Sequence, residues 1–232
     1  MRPWAKISFA LLLLCQSGLA QGFVNLDFED ATVILAGSPD MIEASSAIPG
    51  WAAYYGSSSN PTLSGTLANI FYDSQTIGGA GVFLDDANTP SGTDGLSLIP
   101  IQGSFSVFLE GSIPYAAVAA SIGQTGTISN TARSLTFFAE QGGLQVTFNG
   151  QNIPFSAIGN GAGYTIYGAD ISNYAGQTGQ LLFTAPGNNS AALLDNIQFS
   201  SSSVPEPSEL ALTALGALLL GFRRRLNSFI HR

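Results

Sequence analysis

The feature that most constrains the fold is a series of short β-prone runs, separated by turn residues, that extends from residue 21 to residue 203. In residues 104–110 an apolar side chain recurs at every second position, at Phe105, Val107 and Leu109, as in a half-buried strand. Asn149-Gly150 lies between two further runs, 144–148 and 151–155, and suits the positive φ angles of a two-residue type I′ hairpin. Turn signals roughly 8–12 residues apart are typical of β-sandwiches. We therefore predict an all-β fold, a jelly-roll-like antiparallel β-sandwich.

The same pattern predicts roughly ten strands in total. The other predicted strands lie at residues 23–29, 67–73, 81–85, 96–101, 135–140, 164–167, 180–184 and 193–200. Residues 115–124 fit either a helix or a strand, because their alanines favour a helix and their glycines favour a strand and a turn. The turn Ile48-Pro49-Gly50 leads into Trp51, which we expect to lie in the core.

Residues 21–203 have the size of one domain, and their charge is strongly unbalanced. All 15 acidic residues of the chain except Glu206 and Glu209 lie there, whereas Arg133 is the only basic residue, so the net charge of this segment is near −12. Such a surface repels nucleic acid and anionic lipid headgroups, and we expect no nucleic-acid partner. Because the segment has no cysteine, a hydrophobic core or a metal must stabilise it in place of disulfides.

The amino terminus predicts export. Residues 1–20 combine the basic residues Arg2 and Lys6, an apolar stretch at 7–14 and a small-residue cleavage site at 18–20, which together indicate a signal peptide. The sandwich domain is then assigned to residues 21–199, followed by a serine linker at 200–203. A lipoprotein anchored through Cys15 is the alternative, although the preceding Leu14 is larger than the small residue that lipidation requires.

The last segment, residues 204–232, has three successive parts. Val204-Pro205-Glu206-Pro207-Ser208 is an extended stem, because proline fixes φ and has no N–H donor. An apolar run at 210–222 can form a helix of roughly 20 Å, shorter than the ~20 residues that cross a bilayer comfortably. Arg223, Arg224 and Arg225 follow, where a positive-inside anchor carries its charge.

These three parts, in this order, resemble the PEP-CTERM sorting signal that exosortase-bearing bacteria process. The resemblance implies a secreted or cell-surface protein of a Gram-negative-type bacterium, processed by signal peptidase and an exosortase. It also implies that the carboxy-terminal helix anchors the protein in the membrane only until processing. The alternatives are an ordinary carboxy-terminal membrane anchor and a hydrophobic helix packed on the domain.

Several kinds of catalysis are excluded by the residue types present. The only histidine, His231, lies in the tail, so residues 21–203 contain neither a histidine base nor the His and Cys ligands of zinc and copper. Paired carboxylates of a glycosidase remain possible, with Asp85, Asp86, Glu110 and Glu140 as candidates, but no spacing singles out a pair. We therefore predict a protein that is not an enzyme.

A second resemblance concerns the domain itself. Residues 25–29 (Asn-Leu-Asp-Phe-Glu), 48–51 (Ile-Pro-Gly-Trp) and 194–197 (Leu-Asp-Asn-Ile) are similar to motifs of exported galactose-binding-like jelly rolls, which include carbohydrate-binding modules. The opening departs from the usual Asn-Gly-Ser-Phe-Glu, and Asn196 replaces an aspartate. The resemblance implies a structural calcium ion shared by Glu29 and Asp195, with Asp27 as a neighbour. Carboxylates repel one another unless a cation neutralises them, which independently favours such an ion.

Two other features admit a ligand. The loops Asp85-Asp86-Ala87-Asn88 and Thr93-Asp94 are rich in oxygen ligands for calcium, although neither has the spacing of an EF-hand. The tyrosines form either a platform for sugar stacking or a set of half-buried sandwich residues. They are Tyr54, Tyr55, Tyr72, Tyr115, Tyr164, Tyr167 and Tyr174.

Two functions therefore remain open. The first is a non-enzymatic cell-surface or extracellular-matrix protein sorted through its tail. The second is an extracellular carbohydrate-binding module whose partner is a glycan or an exopolysaccharide.

Overall fold

The computed structural model describes residues 22–74, 78–87, 99–140 and 142–204. The signal peptide predicted at 1–20, the apolar helix predicted at 210–222 and the sorting-motif residues from Pro205 to Arg225 lie outside this part of the chain. None of the helices within it is long and apolar enough to span a membrane.

Strands dominate the described residues, together with one short α-helix, α1 (Ala44–Ala47), and one 3₁₀ turn at Ser172–Tyr174. The strands are β1 (Met41–Glu43), β2 (Ala52–Gly56), β3 (Asn69–Tyr72), β4 (Gly81–Asp86), β5 (Phe105–Glu110), β6 (Ala119–Thr127), β7 (Ser134–Glu140), β8 (Gln145–Phe148), β9 (Gln151–Asn152), β10 (Ser156–Asn160), β11 (Thr165–Asp170), β12 (Thr178–Ala185) and β13 (Ala191–Ser200).

These strands form two sheets that pack face to face. The larger sheet has eight strands in the order β1-β3-β4-β5-β13-β7-β11-β10, and the smaller has five in the order β2-β6-β12-β8-β9. Neighbouring strands pair antiparallel, except that β3 and β4 are parallel. The predicted all-β sandwich is confirmed.

The core between the sheets is aromatic at its centre. The Phe183 ring lies 5.3 Å from the Phe137 ring and 6.2 Å from the Trp51 ring, measured between centroids. Trp51 is 5 % exposed and also packs against the fully buried Phe28. The expected core position of Trp51 is therefore confirmed. Burying rings of this size supplies the hydrophobic stabilisation that a domain without disulfides requires.

The predicted hairpin is also present. Asn149 has φ +49° and Gly150 has φ +75°, as a type I′ turn requires. The returning strand β9 is shorter than the predicted 151–155, although the Ile153 N–H still donates to the Val146 carbonyl at 2.8 Å. Of the ambiguous residues 115–124, the last six form the start of β6, and residues 115–118 form a turn and irregular backbone.

The strand predicted at 23–29 is wrong, and the one predicted at 96–101 is absent from its described part. Residues 23–29 form turns and irregular backbone, because Asn25 and Phe28 have φ angles of +49° and +59°. The Val24 N–H and carbonyl bond the Gln124 side-chain amide at 2.6 and 2.9 Å, so a side chain takes the place of a neighbouring strand. Of the strand predicted at 96–101, residues 99–101 are described and lie outside any strand.

The larger sheet buries side chains on both of its faces around β5. Val107 and Leu109 face the main core, whereas the alternate residue Phe108 belongs to a second buried cluster with Phe83 and Leu193. Ile101, in the segment before β5, packs against this second cluster. We call the face that carries it the outer face of the larger sheet.

Candidate functional site: an acidic cleft on the outer face

A cleft of about 270 Å³ opens where the first described segment, the turn before β5 and the last strand β13 meet. Six of its seven lining residues have polar side chains, and three of these are acidic. The lining residues are Asp27, Glu29, Gln102, Gly103, Asp195, Asn196 and Gln198. The three residues predicted to share a calcium ion, Asp27, Glu29 and Asp195, therefore line one cleft.

A local irregularity in β13 shapes this cleft. The pairing of β13 with β7 shifts register between Asp195 and Gln198, and Asn196 has φ +47°, so the strand bulges at this point. The Ile197 N–H then donates to the Leu26 carbonyl at 2.8 Å. The bulge thereby joins the beginning of the domain to its last strand.

Asp195 forms the floor of the cleft and is fully buried. Its Oδ2 accepts hydrogen bonds from the Gln102 N–H at 2.9 Å and the Ser106 hydroxyl at 2.8 Å, and its Oδ1 accepts one from the Asn196 N–H at 2.6 Å. Burial raises the pKa of Asp195 to about 6. The three hydrogen bonds lower the pKa and so oppose this effect, and the negative charge of Glu29 raises it by a smaller amount.

Glu29 lies at the exposed rim of the cleft. Its Oε1 accepts hydrogen bonds from the N–H groups of Ser104 at 2.8 Å and Phe105 at 3.1 Å. Gly103 makes this approach possible, because it has φ +64° and because a Cβ at this position would overlap the Glu29 carboxylate. The turn before β5 thus binds both acidic residues through its backbone.

Side-chain amides complete the polar lining. The Asn196 amide donates to Gln102 Oε1 at 2.7 Å, and the Gln198 amide donates to Asn196 Oδ1 at 2.6 Å. Carboxylate and amide oxygens are the ligands that calcium prefers, so the residues that line the cleft have the right chemistry for this ion. Nevertheless, no three acidic, His or Cys side chains converge closely enough to hold a metal anywhere in the described ranges. A calcium ion in this cleft stays a prediction.

An aromatic pair lies next to the cleft on the same face of the sheet. Asp195 is paired across the sheet with Phe138 of β7, so their side chains are neighbours. The Phe138 ring stacks on the Tyr164 ring with centroids 4.7 Å apart and an interplanar angle of 25°. Both rings are half-buried. Gly161 supports the stack, because a Cβ at this position would overlap the Tyr164 ring.

Most of the other tyrosines are half-buried residues of the sandwich, the second of the two predictions made for them. Tyr55, Tyr72, Tyr167 and Tyr174 pack against the main core. Among the seven tyrosines, all of which are described, only Tyr115 is exposed, at 98 %. Tyr164, in the aromatic pair, is the one tyrosine that adjoins the cleft.

None of the four carboxylates that were candidates for a glycosidase pair lines the cleft. Asp85 and Asp86 end β4, Glu110 ends β5 and Glu140 ends β7. Asp85 is fully buried, and Glu140, at the end of β7, has a pKa raised by burial. The loop Asp85-Asp86-Ala87-Asn88 is described only to Ala87, and Thr93-Asp94 lies outside the described residues.

Sequence reasoning missed the turn at residues 102–104, the Ser106 hydroxyl and the aromatic pair. The turn acts through peptide N–H groups, which leave no mark on residue type; only Gly103 signalled that a special backbone conformation was needed. The partnership of Phe138 with Tyr164 depends on the pairing of β7 with β11, which the strand pattern does not specify.

Comparison with known proteins places the chain in no family. No family model and no curated protein matches it.

Among solved structures it is similar to a Stig cyclase, Fisc from Fischerella sp. TAU, bound to a methylpyrrolidinylidene-indole (14 % identity, TM-score 0.44, 78 % of this chain and 96 % of the other). It is also similar to two carbohydrate-binding modules. One is the family 11 module from Clostridium thermocellum with a β-1,3-1,4-mixed-linked tetrasaccharide (12 %, TM-score 0.33, 72 % and 97 %). The other is TmCBM61 with β-1,4-galactotriose (11 %, TM-score 0.34, 78 % and 99 %). Likenesses this distant carry no argument about a ligand or an activity.

Proposed function

We propose that this domain is a non-enzymatic carbohydrate-binding module, with its ligand on the outer face of the larger sheet. The observation that carries the proposal is the pairing of Asp195 with Phe138, which sets a polar cleft beside a half-buried aromatic stack. Sugars present apolar C–H faces that pack on aromatic rings and hydroxyls that donate to carboxylates and amide oxygens. The aromatic pair and the cleft offer both kinds of contact.

The size and charge of the site restrict the ligand class. A volume of about 270 Å³ lies just below the roughly 300–1,000 Å³ of typical small-molecule sites, so the cleft suits one sugar ring or a chain end. A domain with a net charge near −12 repels polyanions. We therefore infer that the ligand is a neutral glycan and that uronate-rich or sulfated polysaccharides are rejected.

Calcium has a separate, structural role in this proposal. Glu29 and Asp195, with Asp27 nearby, would hold the ion. The side-chain oxygens of Gln102 and Asn196, each of which accepts one hydrogen bond, lie beside them. The ion would neutralise carboxylates that come from opposite ends of the domain. Because it would bind only the folded state, it would stabilise the fold by mass action.

We further propose that the protein is exported and sorted through its tail. The support is the order Pro-Glu-Pro, apolar run and arginine cluster in residues 204–232, together with the export features of residues 1–20. Signal peptidase and an exosortase would be the processing partners, and the cell surface the destination. The residues just before the motif are held on the sandwich, since the Ser134 hydroxyl donates to the Ser202 carbonyl at 2.7 Å. The intact mass of the secreted form tests this proposal: a mature species that retains residues 222–225 contradicts it.

A glycan array tests the binding function. The full chain, applied at neutral pH with calcium present, is expected to bind neutral oligosaccharides and to leave uronate-bearing and sulfated ones unbound. Retention only on the anionic glycans, or on none of the glycans, would contradict the proposal.

A further inference from the structure

A second acidic site lies at the ends of β3 and β4, two strands from Asp195 in the sheet and outside the residues that line the cleft. Asp73 follows β3 directly, and its N–H donates to the Leu84 carbonyl at 3.1 Å, next to Asp85 in β4. Asp85 lies on the outer face of the sheet, two residues after Phe83. It is fully buried, and within the described part of the chain neither of its carboxylate oxygens has a hydrogen-bond partner. A buried carboxylate in this state is rare, because its desolvation is uncompensated.

The neighbours of Asp85 are engaged elsewhere. Its partner across the sheet is Ser106, whose hydroxyl donates to Asp195 at 2.8 Å and accepts from the Ile101 N–H at 2.9 Å. The Asp86 N–H donates to Asp73 Oδ1 at 3.0 Å, and the Tyr72 hydroxyl donates to Asp86 Oδ2 at 2.6 Å. The first bond holds the Asp73 carboxylate next to the end of β4, whereas Asp86 alternates with Asp85 along the strand and points to the opposite face. Burial, together with the charges of Asp73 and Asp86, raises the pKa of Asp85 to about 8.

The domain itself has no cation to offer this site. Arg133 is the only basic residue in residues 21–203, and the carboxylate that feels its charge is Asp170, at the end of β11. The segments 75–77 and 88–98, next to Asp85 in sequence, contain no lysine, arginine or histidine. Within residues 21–203, the carboxylates at β3 and β4 can therefore be neutralised only by protons or by a cation from solution.

We propose that Asp85 and the adjacent Asp73 carboxylate form a calcium site distinct from the cleft at Glu29 and Asp195. The buried Asp85 carboxylate can bind the ion through both oxygens, with Asp73 as the second acidic ligand. Calcium takes roughly six to eight oxygen ligands, so backbone carbonyls and water would have to supply the others. Calcium suits such a site better than magnesium, because it tolerates irregular oxygen coordination and dehydrates more readily.

Calcium titration calorimetry of the full chain, with three variants, tests the site. Asp85→Asn keeps the side-chain size and removes the charge, Glu29→Gln alters the cleft, and Asp30→Asn is an exposed control. We expect Asp85→Asn to bind one calcium fewer than wild type, and Asp30→Asn to bind as many. The Asp85-dependent ion should persist in Glu29→Gln, which separates this site from the cleft. An unchanged stoichiometry in Asp85→Asn, or a wild type that binds no calcium, overturns the proposal.

A second readout does not depend on the folding of an Asp85 variant. Asp73→Asn removes the charge of the second acidic ligand and leaves Asp85 in place. We expect it to bind one calcium fewer than wild type in the same calorimetry. A folded Asp73→Asn protein that binds as many calcium ions as wild type contradicts the site even if Asp85→Asn fails to fold.

Discussion

Glu29 and Asp195 are held by the same short turn: the Ser104 N–H donates to Glu29 Oε1 at 2.8 Å, and the Gln102 N–H donates to Asp195 Oδ2 at 2.9 Å. One turn thus fixes an acidic residue from the beginning of the domain and another from its last strand. The arrangement compensates part of the cost of bringing two carboxylates together, since N–H bonds favour the charged form. The cleft is therefore organised before any ligand arrives.

Gly103→Ala tests the role of this turn. The new Cβ would meet the Glu29 carboxylate at a residue with φ +64°, so both strain and a lost contact should lower the free energy of unfolding, by about 1–3 kcal/mol. Urea denaturation measures the change. Gly37→Ala is the matched control, because Gly37 has φ +79° and nothing within 4 Å of a Cβ, so it reports the backbone strain alone. Equal losses in the two variants would show that the contact with Glu29 contributes nothing.

Gln124→Ala tests the side-chain clamp on the first segment. Gln124 is buried and bonds both backbone groups of Val24, which would lose their partners in the variant. We expect a loss of about 1–3 kcal/mol in the free energy of unfolding, measured by urea denaturation. Gln145→Ala, at an exposed position of β8, is the control and should change stability little. A Gln124→Ala protein as stable as the control would refute the clamp.

The stability of the calcium-free protein should depend on pH. The pKa of Asp85 is about 8 and that of Asp195 about 6 in the folded state, both above the ordinary value of 3.8. Because these groups bind a proton more tightly in the folded state, they stabilise the fold, and this stabilisation is fully present below about pH 4. It is lost as the pH rises through the two folded pKa values. With chelator present, the melting temperature should therefore fall between pH 4 and pH 8, and Asp85→Asn should flatten much of the decline.

Asp170 supplies a control of opposite sign for this pH dependence. Hydrogen bonds from the Ser172 backbone and side chain lower its pKa, so its contribution is present above the ordinary pKa and is lost as pH falls through the folded value. Asp170→Asn should therefore leave the decline between pH 4 and pH 8 unchanged. A wild-type melting temperature that stays constant over this range contradicts the pKa values of both buried carboxylates.

The sequence predicted the fold class because its main signals are local. Alternation and turn residues identify β5, β7 and the Asn149-Gly150 hairpin, whose φ angles depend on two neighbouring residues. It failed at residues 23–29, where alternation is present and Phe28 is buried as the pattern implies. The backbone there is bound by a side chain 100 residues away, and such a long-range partner leaves no local signature.

The site was predictable only where a short local motif contains its residues. The resemblance to galactose-binding-like jelly rolls named Glu29, Asp195 and Asp27, and these residues do line one cleft. The aromatic pair and the burial of Asp85 arise from strand order and sheet faces, which composition does not encode.

The support of the aromatic pair can be removed without touching either ring. A Cβ at Gly161 would overlap the end of the Tyr164 side chain, so Gly161→Ala should push this ring off Phe138 and leave the sheet intact. We expect a weaker affinity for any glycan that the wild type binds, with little change in melting temperature. Gly142→Ala, at a glycine with open space around it, is the control. Equal affinities in the two variants would argue against a role for the stack.

The central claim, that a sugar binds in the acidic cleft and on the aromatic pair, is tested most directly by titrating one array-identified neutral oligosaccharide into three proteins. These are the wild type, Tyr164→Ala and Tyr115→Ala, the last of which removes an exposed tyrosine outside the aromatic pair and the cleft. Loss of an aromatic contact of about 0.5–1.5 kcal/mol predicts a Kd roughly 2- to 13-fold higher for Tyr164→Ala. The Kd of Tyr115→Ala should equal that of the wild type. An unchanged Kd in Tyr164→Ala would contradict the account, and a loss of binding in Tyr115→Ala would place the ligand elsewhere.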